Sequence, residues 1–146
     1  MSVFITLAMF VCSVVQAEEQ TQQPPKLLIV GDSISAGFGV PVEKQWPLLL
    51  EQKLQNRFPQ LTVVVAAISG DTTSGGRSRL PALLERHQPD VTLLALGGND
   101  ALRGTPLSLV RNNLTAMIEA TQESGSEVIL AGMQIPPNYG PAYTEG

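Results

Sequence analysis

Apolar positions fall into two alternating patterns along this chain. Residues 26–30 form an unbroken apolar run after Lys26, with no polar alternation, which predicts a strand buried on both faces. Trp46, Leu49, Leu50, Leu54 and Phe58 recur at helical spacing among polar neighbours, and Pro59 ends that amphipathic helix. Residues 61–68 are a second strand, rich in β-branched side chains. Residues 77–87 form a second helix with Leu80, Leu83 and Leu84 inward and Pro81 near its start, where proline is tolerated. Residues 91–96 are a third strand. Thr105 and Pro106 then read as an N-cap and a first helical proline, ahead of a stripe of Leu107, Val110, Leu114, Met117 and Ile118 that Gly125 terminates. Residues 127–133 are a fourth strand, and 134–146, with three prolines, are loop.

The order is therefore βαβαβαβ. Strands that alternate with helices of this length pair in parallel through right-handed crossovers. The expected fold is α/β: a doubly wound, flavodoxin-like three-layer sandwich around a parallel sheet. The 146 residues suit one domain, and 43% apolar with 15% charged residues suits a packed core.

Three polar turns follow the first three strands: Gly31-Asp32-Ser33, Ser69-Gly70-Asp71 and Gly97-Gly98-Asn99-Asp100. A parallel sheet places all strand carboxyl ends on one rim, so the three turns should converge there, where open α/β sheets hold their ligands. Together they offer a hydroxyl, an unobstructed glycine N–H and a carboxamide. Such a set can attack a carbonyl and hold the resulting oxyanion.

With these blocks the chain resembles the GDSL, or SGNH, hydrolases, and within them the bacterial periplasmic thioesterase I, lysophospholipase L1 and arylesterase group. The first block reads Gly31-Asp32-Ser33-Ile34-Ser35, with Ile where Leu is usual. Trp46-Pro47, the run Arg79-Leu80-Pro81-Ala82-Leu83-Leu84 and Met133-Gln134-Ile135-Pro136 also match. The resemblance implies Ser33 as nucleophile. It implies an oxyanion hole made by the N–H groups of Ser33 and Gly70 and the side chain of Asn99. Asp32, Asp71 and Asp100 are read as structural. The implied substrates are small-molecule acyl esters or thioesters: lysophospholipids, acyl thioesters, or aryl and short-chain esters. No metal or organic cofactor is implied.

Such a serine needs a base, which in this family comes from an Asp-x-x-His block near the C-terminus. No such block stands in the sequence, and the single histidine, His87, precedes the third strand and so belongs to the opposite, amino edge of the sheet. The expectation is an SGNH domain over 26–146 that stops after its fourth strand, poorly soluble and inactive on its own. A non-catalytic binding domain is the alternative. A metallophosphoesterase built on Asp32, Asp71, Asn99 and Asp100 is a more remote one. An ordinary α/β-hydrolase would need a Gly-x-Ser-x-Gly elbow, which is missing.

Charge and cysteine content narrow the setting. A net charge of −4 with scattered Lys and Arg argues against nucleic acid as a partner, and one cysteine excludes an internal disulfide framework and a multi-cysteine zinc site. Residues 1–17 carry no charged side chain and end in Val15-Gln16-Ala17, which fits a signal peptide rather than a stable membrane span. Residues 18–25 read as a polar lead-in. Together these predict a periplasmic or secreted bacterial protein. Oligomeric state has no sequence signal.

Overall fold

The computed structural model describes residues 23–134. The signal peptide at 1–17, most of the lead-in and the C-terminal loop lie outside the described residues.

The sheet has four parallel strands: β1 (Lys26–Gly31), β2 (Thr62–Ala67), β3 (Val91–Ala95) and β4 (Glu127–Leu130). Their spatial order is β2-β1-β3-β4, which puts β1 inside and β2 and β4 at the edges. The unbroken apolar run of β1 is explained by that position, since Leu28, Ile29 and Val30 are fully buried. The edge strand β4 is shorter than its apolar run and largely exposed, with Ile129 half out in solvent.

The helices are α1 (Trp46–Gln55), α2 (Thr73–His87), α3 (Gly98–Leu102) and α4 (Leu107–Glu123), with a 3-10 turn at Val42–Lys44 before α1. Helices α2 and α4 cover one face of the sheet. Leu28, Val30 and Leu94 from the strands, with Leu96 just after β3, pack there against Leu80 and Leu84 of α2 and Met117 of α4. Each such side chain contributes on the order of 1.5–3 kcal/mol by leaving water. Helix α1 covers the other face over β2, where the Glu51 carboxylate accepts from the N–H of Val63 at 3.0 Å. The right-handed crossovers thus produce the expected three layers.

Several boundaries differ from the sequence reading. Helix α2 begins at Thr73, four residues early, because Thr72 caps it: its hydroxyl accepts from Gly75 N–H. Gly75 and Gly76 disguise that first turn, since glycine disfavours helix. Gly76 is required by packing, as a Cβ there would strike the Leu96 side chain. Pro81 consequently lies well inside α2 rather than near its start. Helix α4 starts at Leu107 with Pro106 at the N-cap, so Thr105 is not the cap. The Gly-Gly-Asn-Asp turn is itself a short helix, α3, entered through Gly97 at φ 128°, a conformation that favours glycine. Trp46, on the apolar repeat of α1, is only half-buried; the buried residue of that helix is Pro47.

Candidate active site

The register fixes the rim. Gly31, the last residue of β1, pairs with Ala67 of β2 and with Ala95 of β3, so the three strands end side by side. Asp32 and Ser33 leave β1 there, Ser69-Gly70-Asp71 leave β2, and α3 leaves β3.

Each turn has its own local reason. In the first, Asp32 is 3% exposed and its carboxylate accepts from the N–H of Ile34 at 3.0 Å, an Asx turn that aims Ser33 outward. Gly31 is needed because a Cβ there would strike the Ser35 side chain. In the second, the N–H of Asp71 bonds the carbonyl of Ile68 at 3.1 Å, with Gly70 at φ 80° in the third position. That geometry calls for glycine and leaves the Gly70 N–H outside the turn's own hydrogen bond. The carbonyl of Gly70 is held by Arg103 at 2.8 Å. In the third, buried Asp100 accepts from both the N–H and the hydroxyl of Thr73, at 2.8 and 2.7 Å, clamping α3 onto the start of α2. Asn113 of α4 donates to the same Thr73 hydroxyl at 3.1 Å.

The three turns meet through Asn99. Its carboxamide nitrogen donates to the Asp32 carboxylate at 3.2 Å and to the Asp71 carbonyl at 2.9 Å. Asp32 precedes Ser33 and Asp71 follows Gly70, so Ser33, Gly70 and Asn99 are gathered on one small area of the rim. Both amide hydrogens of Asn99 are engaged inside the protein in this state.

Beside Ser33 lies a hollow of about 330 Å³ lined by Ile34, Phe38, Val40, Lys44 and Trp46. It is built by the start of α1. The Trp46 indole N–H donates to the Ile34 carbonyl at 3.1 Å, and the Gln45 amide donates to the Val40 carbonyl at 3.1 Å. Ile34 and Phe38 are 64% and 78% exposed, an apolar lip next to a hydroxyl. A second, mainly apolar hollow of about 380 Å³ lies between α4 and the segment after β4 and reaches Gly97, two residues before Asn99.

His87 is elsewhere. It ends α2, and its carbonyl accepts from the Lys26 ammonium at 2.6 Å, at the opposite end of β1. Six residues of strand separate that edge from the rim, roughly 20 Å. Burial, then the charges of Arg86 and Lys26, hold its imidazole below the usual 6.5. The remaining acids of the metal-site alternative are spoken for by protein donors: Asp71 by Arg79 and Asp100 by Thr73. Among the described residues no three His, Cys, Asp or Glu side chains cluster to hold a metal ion, and no helix is long and apolar enough to cross a membrane.

Sequence reasoning met Arg79 and Arg103 beside the family blocks but gave neither a role. Both reach rim carbonyls from other elements, and nothing in their local spacing signals that.

Comparison with known proteins places this arrangement. The profile of the GDSL-like Lipase/Acylhydrolase family matches residues 29–146. An arylesterase from Vibrio mimicus is 43% identical over 141 residues, covering 97% of this chain and 68% of that protein. The Escherichia coli K12 protein named thioesterase 1/protease 1/lysophospholipase L1 is 43% identical over 119 residues, 82% of this chain and 56% of its own length. The crystal structure of TesA superposes with a TM-score of 0.79 at 46% identity, covering 82% of this chain and 67% of that one. The chain thus spans between about half and two thirds of these relatives' lengths. With the parallel sheet, the rim and the sequence blocks in agreement, the chain belongs to the GDSL-like lipase/acylhydrolase family.

Proposed function

We propose that this chain carries the nucleophile and oxyanion hole of a serine esterase or thioesterase. The Ser33 hydroxyl attacks the acyl carbon and passes its proton to a base. The carbonyl π electrons move onto oxygen, which the N–H groups of Ser33 and Gly70 and the Asn99 carboxamide then hold. Collapse breaks the bond to the alcohol or thiol, which leaves with a proton, and water releases the acid from the acyl-serine. The observation that carries the reading is the Asn99 carboxamide bridging the residue before Ser33 and the residue after Gly70. During reaction the Asp32 contact, the longer of the two, is exchanged for the oxyanion. Apolar arms of the ester have two hollows to enter, beside Trp46 and beside Gly97.

The base in this reading is not His87, which stands at the far edge of the sheet. Substrates are acyl esters or thioesters, in keeping with the names of the relatives. Residues 1–17 support export to the periplasm or medium.

A fluorophosphonate probe applied to the full-length protein tests the assignment. Labelling that maps to Ser33 and vanishes in Ser33→Ala is the expected result. An unlabelled full-length protein without ester or thioester turnover would favour a binding domain instead.

A further inference from the structure

Arg79 does not touch Ser33, yet its guanidinium ends on the same rim. From the second turn of α2 it makes three hydrogen bonds. Nε donates to the Asp71 carboxylate at 2.8 Å, one terminal nitrogen to the Ala66 carbonyl at 2.7 Å, and the other to the Gly31 carbonyl at 3.2 Å. Those acceptors lie at the end of β1, at the end of β2 and in the turn after β2. The Gly31 carbonyl also accepts from Ile68 N–H at 3.0 Å, so it joins the first turn to the second.

Asp71 is the hub of the arrangement. One carboxylate oxygen takes Arg79; the other takes the N–H of Thr72 at 2.9 Å; its carbonyl takes Asn99. The side chains of Arg79 and Asp71 are 20% and 10% exposed, so water competes little for them. The carboxylate lies over the first turn of α2, in space that the glycine at position 75 leaves open: a Cβ there would strike its oxygen, so the side chain must shift. Asp71 is short and tied at both oxygens, so a shift that clears that Cβ strains its bonds to Arg79 and Thr72.

We propose that Arg79, acting through Asp71 seated on Gly75, is the positioning residue of the oxyanion hole: it fixes the second turn, and with it the Gly70 N–H and the Asn99 carboxamide, against the end of β1. This rests on the esterase reading above. A guanidinium suits the task because its planar fork reaches three acceptors in fixed directions, which a lysine cannot do. A displacement of about 1 Å at such a site is worth on the order of a hundredfold in rate.

The decisive variant is Gly75→Ala in the full-length protein. Alanine in a helix stabilises relative to glycine, so a purely structural role for this cluster predicts an unchanged or raised melting temperature with unchanged turnover. Displacement of Asp71 predicts a kcat lower by roughly tenfold to a hundredfold at an unchanged KM and an undiminished melting temperature. Arg79→Lys should fall between wild type and Arg79→Met in kcat. The double variant Asp71→Ala/Gly75→Ala should be no slower than Asp71→Ala, since the alanine then has nothing to displace. Wild-type kcat in Gly75→Ala overturns the proposal, as do multiplicative losses in the double variant or losses that follow melting temperature alone. Ser33→Ala run alongside separates the two claims. Its retained turnover would sink the nucleophile assignment, whereas its inactivity beside a fully active Gly75→Ala would sink only the strut.

Discussion

The two ends of this sheet use similar residues to opposite effect. At the amino edge, Lys26, His87 and Asp90 are tied mainly to backbone. The Asp90 carboxylate accepts from the Lys26 N–H at 2.7 Å, the Lys26 ammonium reaches the His87 carbonyl, and the N–H of Glu127 reaches the Asp90 carbonyl at 2.8 Å. Those bonds align strand starts. At the carboxyl rim, Asp32, Asp71, Asn99 and Asp100 tie turn to turn, with Asp32 and Asp100 buried. There Ser33 stands beside an apolar hollow with donors close by. Direction of the strands, more than residue type, decides which end becomes a site: the carboxyl ends release loops that converge, and the helices start there with N–H groups pointing toward the rim.

Substitutions that exchange the roles of the two ends sharpen that contrast. In the full-length protein, Ser33→Ala should lower kcat by about a millionfold, while His87→Gln leaves kcat at the wild-type level; a collapse of turnover in His87→Gln would make the amino edge catalytic. Next in size, Asn99→Ala should lower kcat by about a hundredfold to a thousandfold, the usual cost of an oxyanion donor, measured with one ester and one thioester. Asp100→Ala leaves the Thr73 N–H and hydroxyl buried without their acceptor and should cost about 3 kcal/mol of unfolding free energy in a denaturant titration. The smallest effect belongs to the amino edge. His87 titrates below its ordinary 6.5 in the fold, so the unfolded chain takes up its proton first as pH falls. Its contribution to stability is complete above 6.5 and is lost as pH drops from there through the lowered value. His87→Gln should flatten that slope in melting temperature against pH.

Much of this was legible in the sequence. The apolar run ending in Gly31-Asp32-Ser33 gave β1, its burial and the site of the hydroxyl, because a strand buried on both faces needs no polar alternation. The three polar turns could be brought to one rim by parallel topology alone. The start of α2 was hidden, since Gly75 and Gly76 contradict helix propensity for reasons that lie outside the helix: Asp71 on one side and Leu96 on the other. The short helix α3 carries too few residues to show a period. Trp46 has the spacing of a core residue, but its indole is drawn to the Ile34 carbonyl and so lines the hollow beside Ser33. The contacts of Arg79 and Arg103 were illegible for a related reason, even though Arg79 opens a run that matches the family: a long cation bonding distant carbonyls leaves no local pattern.

The most direct test is a crystal structure of the full-length protein with a phosphonate on Ser33. The account predicts one phosphonyl oxygen at about 3 Å from the backbone nitrogens of Ser33 and Gly70 and the side-chain nitrogen of Asn99, with Asn99 released from Asp32 and still bonded to the Asp71 carbonyl. An adduct whose oxygens face solvent, with Asn99 still donating to both Asp32 and Asp71, would contradict it.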